Sequence, residues 1–194
     1  MELHDFKRSL IPTQGNTGLA NRLWSCDVGT VKRKIKQKLI ENQDIRDLLS
    51  NDDLKDTDDY SNYLYTNIFP FLVIPDTIYE SRSYICFKVD DADTNYNYRQ
   101  RKENPLMKVV QIQFMVVVHK DVVETPYGID RHDALAFLIK QIFQYSEKLF
   151  GFKLVCMSDI EGVTDSNFVT RTLTFEVQEP SNLTDTRTKN AYDN

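Results

Sequence analysis

Apolar positions recur at two periods along this chain, and each period predicts a different element. Val31, Ile35 and Leu39 are four residues apart, which predicts a helix capped by Asp27 or Thr30. Asp44 is placed to cap a short second piece carrying Ile45, Leu48 and Leu49. Residues 83–89 alternate instead. Ile85, Phe87 and Val89 share one face, and Tyr84, Cys86 and Lys88 share the other, as in a half-buried strand. The strongest strand signal spans residues 106–120. Val110, Ile112, Phe114, Val116 and Val118 point one way; Gln111, Gln113 and His119 point the other, joined by Met115 and Val117. Such a two-sided strand suits a central position or a subunit contact. After the turn Thr125-Pro126-Tyr127-Gly128, Asp130 opens the clearest helix, with Asp133 favouring its positive N-terminal end. Leu135, Leu138, Ile139, Ile142 and Leu149 form its stripe, widened by Phe143, and Gly151 ends it. Residues 153–157 predict a short strand. Residues 168–178 alternate again, with Val169, Leu173, Phe175 and Val177 inward and Arg171 on that otherwise apolar face.

The stretches without a period set the boundaries. Residues 1–29 carry loop formers and isolated apolar anchors, Leu19, Leu23 and Trp24, and predict an extension. Residues 51–62 hold five Asp against one Lys and predict a solvated loop. The run 69–74, with Pro70 inside it and Pro75 after it, predicts an edge strand, because proline has no amide hydrogen to pair. Residues 90–105 form a long polar connection between two strands. The organisation is therefore an extension at 1–29, one domain at 30–179 and a polar tail at 180–194. Strands cluster in hairpin-like pairs instead of alternating with helices. That predicts an α+β fold: a mainly antiparallel sheet, helices on one face and a long inter-strand hairpin loop.

Composition narrows the function classes. The 194 residues contain only six Gly and six Pro and carry a net charge of −5. Scattered glycines leave no phosphate-binding loop, and the acidic balance argues against a whole-surface nucleic-acid binder. Cys26, Cys86 and Cys156 are odd in number and far apart, as expected of reduced thiols in a cytosolic setting. No apolar run is long enough to span a membrane. Neither a cofactor nor a metal site is expected: His4, His119 and His132 lack zinc spacing. Asp91, Asp93 and Asn95 imitate a calcium loop, but Tyr96 and Lys102 occupy its Gly and Glu positions. Aromatics make up 11% of the chain. Phe87, Phe114, Phe137, Phe143 and Phe175 fall on core positions, whereas Tyr60, Tyr63, Tyr65, Tyr96 and Tyr98 fall in polar stretches and read as contact surface.

Three clusters carry candidate chemistry. His132 between Asp130 and Asp133 could serve as a general base in an intracellular enzyme, although both Asp also suit a helix start. Lys32, Arg33, Lys34, Lys36 and Lys38 could make a nucleic-acid adaptor, or form the solvated face of a helix. The 90–105 connection passes from Asp91 and Asp93 through Tyr96 and Tyr98 to Arg99, Arg101 and Lys102. Its acid-to-base polarity suits an arm in a head-to-tail subunit contact.

The Ile74-Pro75-Asp76 entry, the paired strands with their long loop, Arg131-His132-Asp133-Ala134-Leu135 and Thr170-Arg171-Thr172-Leu173-Thr174-Phe175 together resemble tail terminator and head–tail joining proteins of long-tailed bacteriophages. The resemblance implies a non-enzymatic hexameric ring in the virion neck, assembled in the host cytoplasm. Its implied partners are further copies of the chain, the tail tube, head-connector proteins, a sheath terminal ring where the tail is contractile, and DNA passing through the lumen. No membrane partner is implied.

Overall fold

The structure, a computed structural model, describes residues 27–54, 59–72, 80–92, 109–150, 153–165 and 167–177. Its elements are α1 (Asp27–Glu41), α2 (Gln43–Leu48), β1 (Ile68–Phe69), β2 (Ser83–Ala92), β3 (Val109–His119), α3 (Arg131–Phe143), α4 (Glu147–Phe150), β4 (Leu154–Asp165) and β5 (Phe168–Val177). The strands form one five-stranded sheet in the order β1-β2-β3-β5-β4. Only the short edge pair β1–β2 is parallel; β2–β3, β3–β5 and β4–β5 are antiparallel. The α+β class is as the pattern predicts, and β3 is the central strand.

Alternation explains the layering. Ile85, Phe87 and Val89 from β2 join Ile112, Phe114, Val116 and Val118 from β3 and Leu173 and Phe175 from β5 on one face. Val31, Ile35 and Leu39 of α1 and Leu135, Ile139 and Phe143 of α3 cover that face in the same cluster. Phe114 sits at the focus, with its ring 5.9 Å from Phe87, 5.0 Å from Phe143 and 5.7 Å from Phe175. The opposite face holds a second, smaller cluster of Phe69, Tyr84, Cys86 and Val117, packed by Leu72, Met115 and Phe168. Tyr84 and Cys86 are therefore buried, and β2 is not the half-buried strand that its alternation predicts.

Several boundaries differ for local reasons. Asn42, not Asp44, caps α2, its side chain accepting from the Ile45 amide at 2.9 Å. Asp130 holds the N-cap position of α3 without a side-chain cap bond. That helix ends at Phe143, well before Gly151, because Tyr145 turns to φ +58 and the chain restarts as α4. β4 runs for twelve residues where the pattern stops at Met157. Its register shift between Cys156 and Ser158 breaks the alternation that would mark the continuation. The stretch 51–62 is not wholly solvated. Asn51 is buried and donates to Asn67 at 2.6 Å, and Asn67 donates to the Ser83 carbonyl at 3.0 Å. Tyr63 is buried rather than a contact surface, and Phe137 is 56% exposed rather than core.

Two stability measurements follow from this packing. Phe114→Ala should cost about 3–5 kcal/mol in a denaturant titration, because three rings lose their common partner. Tyr145 is exposed at a left-handed φ. Tyr145→Gly should therefore leave stability unchanged or raise it by about 1 kcal/mol, where the same change within a helix would lower it.

Candidate functional site

The N-terminal half of α3 lies where the helix layer meets two loops, and Arg131 ties them together. Its Nε donates to the Val122 carbonyl at 2.5 Å, its Nη1 to the Leu48 carbonyl at 3.0 Å and its Nη2 to the Glu124 carbonyl at 3.4 Å. Three fixed donors satisfy carbonyls that the end of α2 and the loop after β3 would otherwise leave open. Burial pushes the Arg131 pKa down. The turn beyond this pin closes with the Gly128 amide on the Thr125 carbonyl at 3.2 Å, and Gly128 at φ +71 takes the left-handed conformation glycine favours.

These segments frame an open cleft of about 740 Å³. Asp44, Asp47 and Leu48 line one wall, Thr125, Tyr127 and Ile129 another, and Asp133, Phe137 and Lys140 of α3 the floor, with Arg171 at one end. Tyr127, Ile129 and Phe137 are 81%, 55% and 56% exposed.

A charged network borders the cleft. Arg171 grips Asp159 with two donors, Nε to Oδ1 at 2.6 Å and Nη2 to Oδ2 at 3.1 Å, and its Nη1 also pairs with Asp133. Lys140 reaches the same Asp159 at 2.6 Å. The polar residue on the apolar face of β5 is thus explained: at the Arg171 row the sheet meets Asp133 of α3. Hydrogen bonding from Arg171 holds the Asp159 carboxyl below the usual carboxylate range, outweighing the upward push of burial, and Lys140 adds to the lowering.

His132 is buried and is not among the residues lining the cleft. Its Nε2 lies 3.4 Å from an Asp133 oxygen and 3.6 Å from a Glu161 oxygen. Its Nδ1 has no hydrogen-bond partner among the described residues. A general base must reach the proton it removes, and this imidazole does not open to the cleft. One ligand atom each from Asp130, His132 and Asp133 lie within 4.8 Å of one another. Asp133 is already paired with Arg171, and that guanidinium opposes a cation at the same place. Cys86 is buried, which pushes its thiol pKa up to about 12; burial also raises that of Cys156. Neither sits in the electropositive setting of a reactive thiolate.

The basic residues of α1 are divided. Lys32 donates to the Pro70 carbonyl at 3.3 Å, and Lys38 pairs with Glu41 at 3.3 Å. Burial, then Lys32 and Arg33, lower the Lys36 pKa. Lys34 lies between them along the helix and is partly exposed. They ring a helix whose apolar side is in the core, as a solvated face would. Asp91 pairs through its backbone with Val110, while its side chain lies outside the described residues. Asp93, Tyr96, Tyr98, Arg99, Arg101 and Lys102 also lie outside them. The cleft itself was not legible in the sequence. Tyr127 reads there as part of a turn and Phe137 as core, although Phe137 lies off the Leu135–Ile139–Phe143 stripe, and Ile129 carries no signal of its own.

A pH titration tests the network. A depressed folded pKa gives stability that is present above the unfolded carboxylate value of about 4 and is lost as pH falls through the folded one. Asp159→Asn should destabilise the protein at pH 7 and flatten the fall in stability below about pH 4. Parallel wild-type and variant curves would count against the network.

The YomW family model matches residues 42–177, from the cap of α2 to the end of β5 and including every residue named in the cleft. No curated protein and no solved structure gives a significant match. No helix among the described residues is long and apolar enough to cross a membrane. With well over half its length matched, the chain belongs to the YomW family, whose phage-derived name points to a phage origin.

Proposed function

We propose that this protein is a structural component of a phage virion, a tail terminator or neck ring subunit. It caps the tail tube, ends its polymerisation and joins tail to head. The carrying observation is the two-sided sheet. Helices cover one face; on the other, Phe69 and Cys86 are already buried in the smaller cluster, and the accessible part of their row runs from the partly exposed Met115 and Thr172 to Ile160, which is 62% exposed at the sheet edge. The adjacent row from Lys88 through Gln113 and Thr174 to Ser158 is polar. A face graded from apolar to polar suits contact between subunits, where an apolar centre is rimmed by polar groups. The phage-derived family name supports the same reading.

In this reading the protein is not an enzyme, and binding supplies its whole action. Copies of the chain close into a ring, a hexamer by the resemblance to tail terminators. One side of the ring meets the last turn of the tail tube and the other meets head-connector proteins. DNA passes through the lumen, where the basic side of α1, with Lys34, suits weak phosphate contact. The placement of His132 away from the cleft disfavours the enzyme alternative.

Sedimentation velocity at rising concentration should reveal a closed oligomer of fixed size. Added to polymerising tail-tube protein, the chain should shorten the tubes and decorate one end in electron micrographs. A strict monomer that leaves tube length unchanged contradicts the proposal.

A further inference from the structure

The three carboxylates lining the cleft are not equally paired: Asp133 meets Arg171, and Asp44 and Asp47 do not. All three cations in its lining are committed: Arg131 to carbonyls, Lys140 to Asp159, and Arg171 to Asp159 and Asp133. Asp44 and Asp47 on the α2 wall are exposed and meet no cation among the described residues. Beside them stand the exposed apolar surfaces of Tyr127, Ile129 and Phe137. The cleft thus sets two exposed carboxylates beside exposed apolar and aromatic side chains. A matching ligand would be aromatic and cationic.

We propose that the cleft receives residues 96–102 of a second copy of this chain, an inference that rests on the assembly reading above. The segment contains Tyr96 and Tyr98 followed by Arg99, Arg101 and Lys102. The tyrosines cover Phe137, Ile129 and Tyr127, and the cations face Asp44 and Asp47. Tyrosine gains apolar contact at little entropic cost, and the opposite charges set direction and register.

Topology directs the contact between copies. The segment joins the ends of β2 and β3 at Ala92 and Val109. The α2 wall of the cleft, with Asp44 and Asp47, lies toward the other end of those strands, where Ser83 accompanies Val118 and the Ser83 amide meets the Leu49 carbonyl, while Arg171 at its far side is level with Val116. At a strand rise of about 3.3 Å per residue, β3 is about 33 Å long. The sixteen residues 93–108, going out and back, reach about 28 Å at full extension. A chain's own arm would have to be fully stretched to reach the α2 wall of its own cleft, whereas a neighbour placed head to tail brings one arm to the next cleft without that stretching.

Mutual rescue tests this in the full-length protein. One variant carries Asp44→Lys with Asp47→Lys, and the other Arg99→Glu with Arg101→Glu. Each alone should associate at least tenfold more weakly than wild type in sedimentation velocity, with its melting temperature unchanged. An equimolar mixture should regain association, because every cleft again finds an arm of opposite charge on another copy. Wild-type-like association of either variant overturns the proposal. So does a mixture that stays dissociated, the outcome expected of an arm bound in its own cleft. If the cleft variant melts early, Phe137→Ser replaces it: weakened association supports the contact, and unchanged association overturns it. Closed rings indifferent to these changes remove the contact and leave the ring. Rescue in an open chain or a dimer keeps the contact and removes the ring.

Discussion

Phe114 stands at the centre of β3 with Phe87, Phe143 and Phe175 around it, and this aromatic contact joins three strands to the helix layer. Each ring comes from a different element, so none of these elements can shift without uncovering the others. Close packing of this kind makes interiors sensitive to the loss of single groups. The helices bury their stripes on this one face of the sheet. The architecture follows: a five-stranded sheet with helices on one side, and a second side that makes its own smaller cluster around Tyr84 and Cys86.

That one-sided arrangement governs where interaction surfaces arise. The seam between α2, the loop after β3 and the start of α3 is held by Arg131, which satisfies three carbonyls from two segments. The cleft is the space left outside this pin. Its bordering network spends its cations internally and leaves acids and aromatic surface outward. His132, the residue most suggestive of catalysis, is buried beside the network and lies outside the cleft. The surface that this seam leaves open is that of Tyr127, Ile129 and Phe137.

Much of the fold was legible because alternation and four-residue spacing report burial directly. β3, β5, α1 and the start of α3 follow their patterns, and β2 follows its pattern as a strand but not in the burial of its second face. The misreadings share a cause: tertiary contacts cover residues that local pattern assigns to solvent, or uncover those it assigns to the core. Tyr84 and Cys86 look outward on β2 but pack with Phe69 and Val117. Tyr63 lies in an acidic stretch and is nonetheless buried. Phe137 is hydrophobic and lies in a helix, yet points away from the stripe that packs. β4 was cut short because its register shift interrupts alternation. Of the charged network, Arg171 and Asp133 stood out individually, but their partner Asp159 lay beyond the predicted end of its strand. The cleft unites residues more than eighty positions apart, a proximity no local pattern carries.

The central claim is that this protein works as an assembled part of a phage neck. Immunogold labelling of purified particles from the phage encoding it tests that claim most directly. The account predicts gold confined to the head–tail junction, on particles with and without DNA. Label elsewhere on the particle, or particles free of the protein, would contradict it.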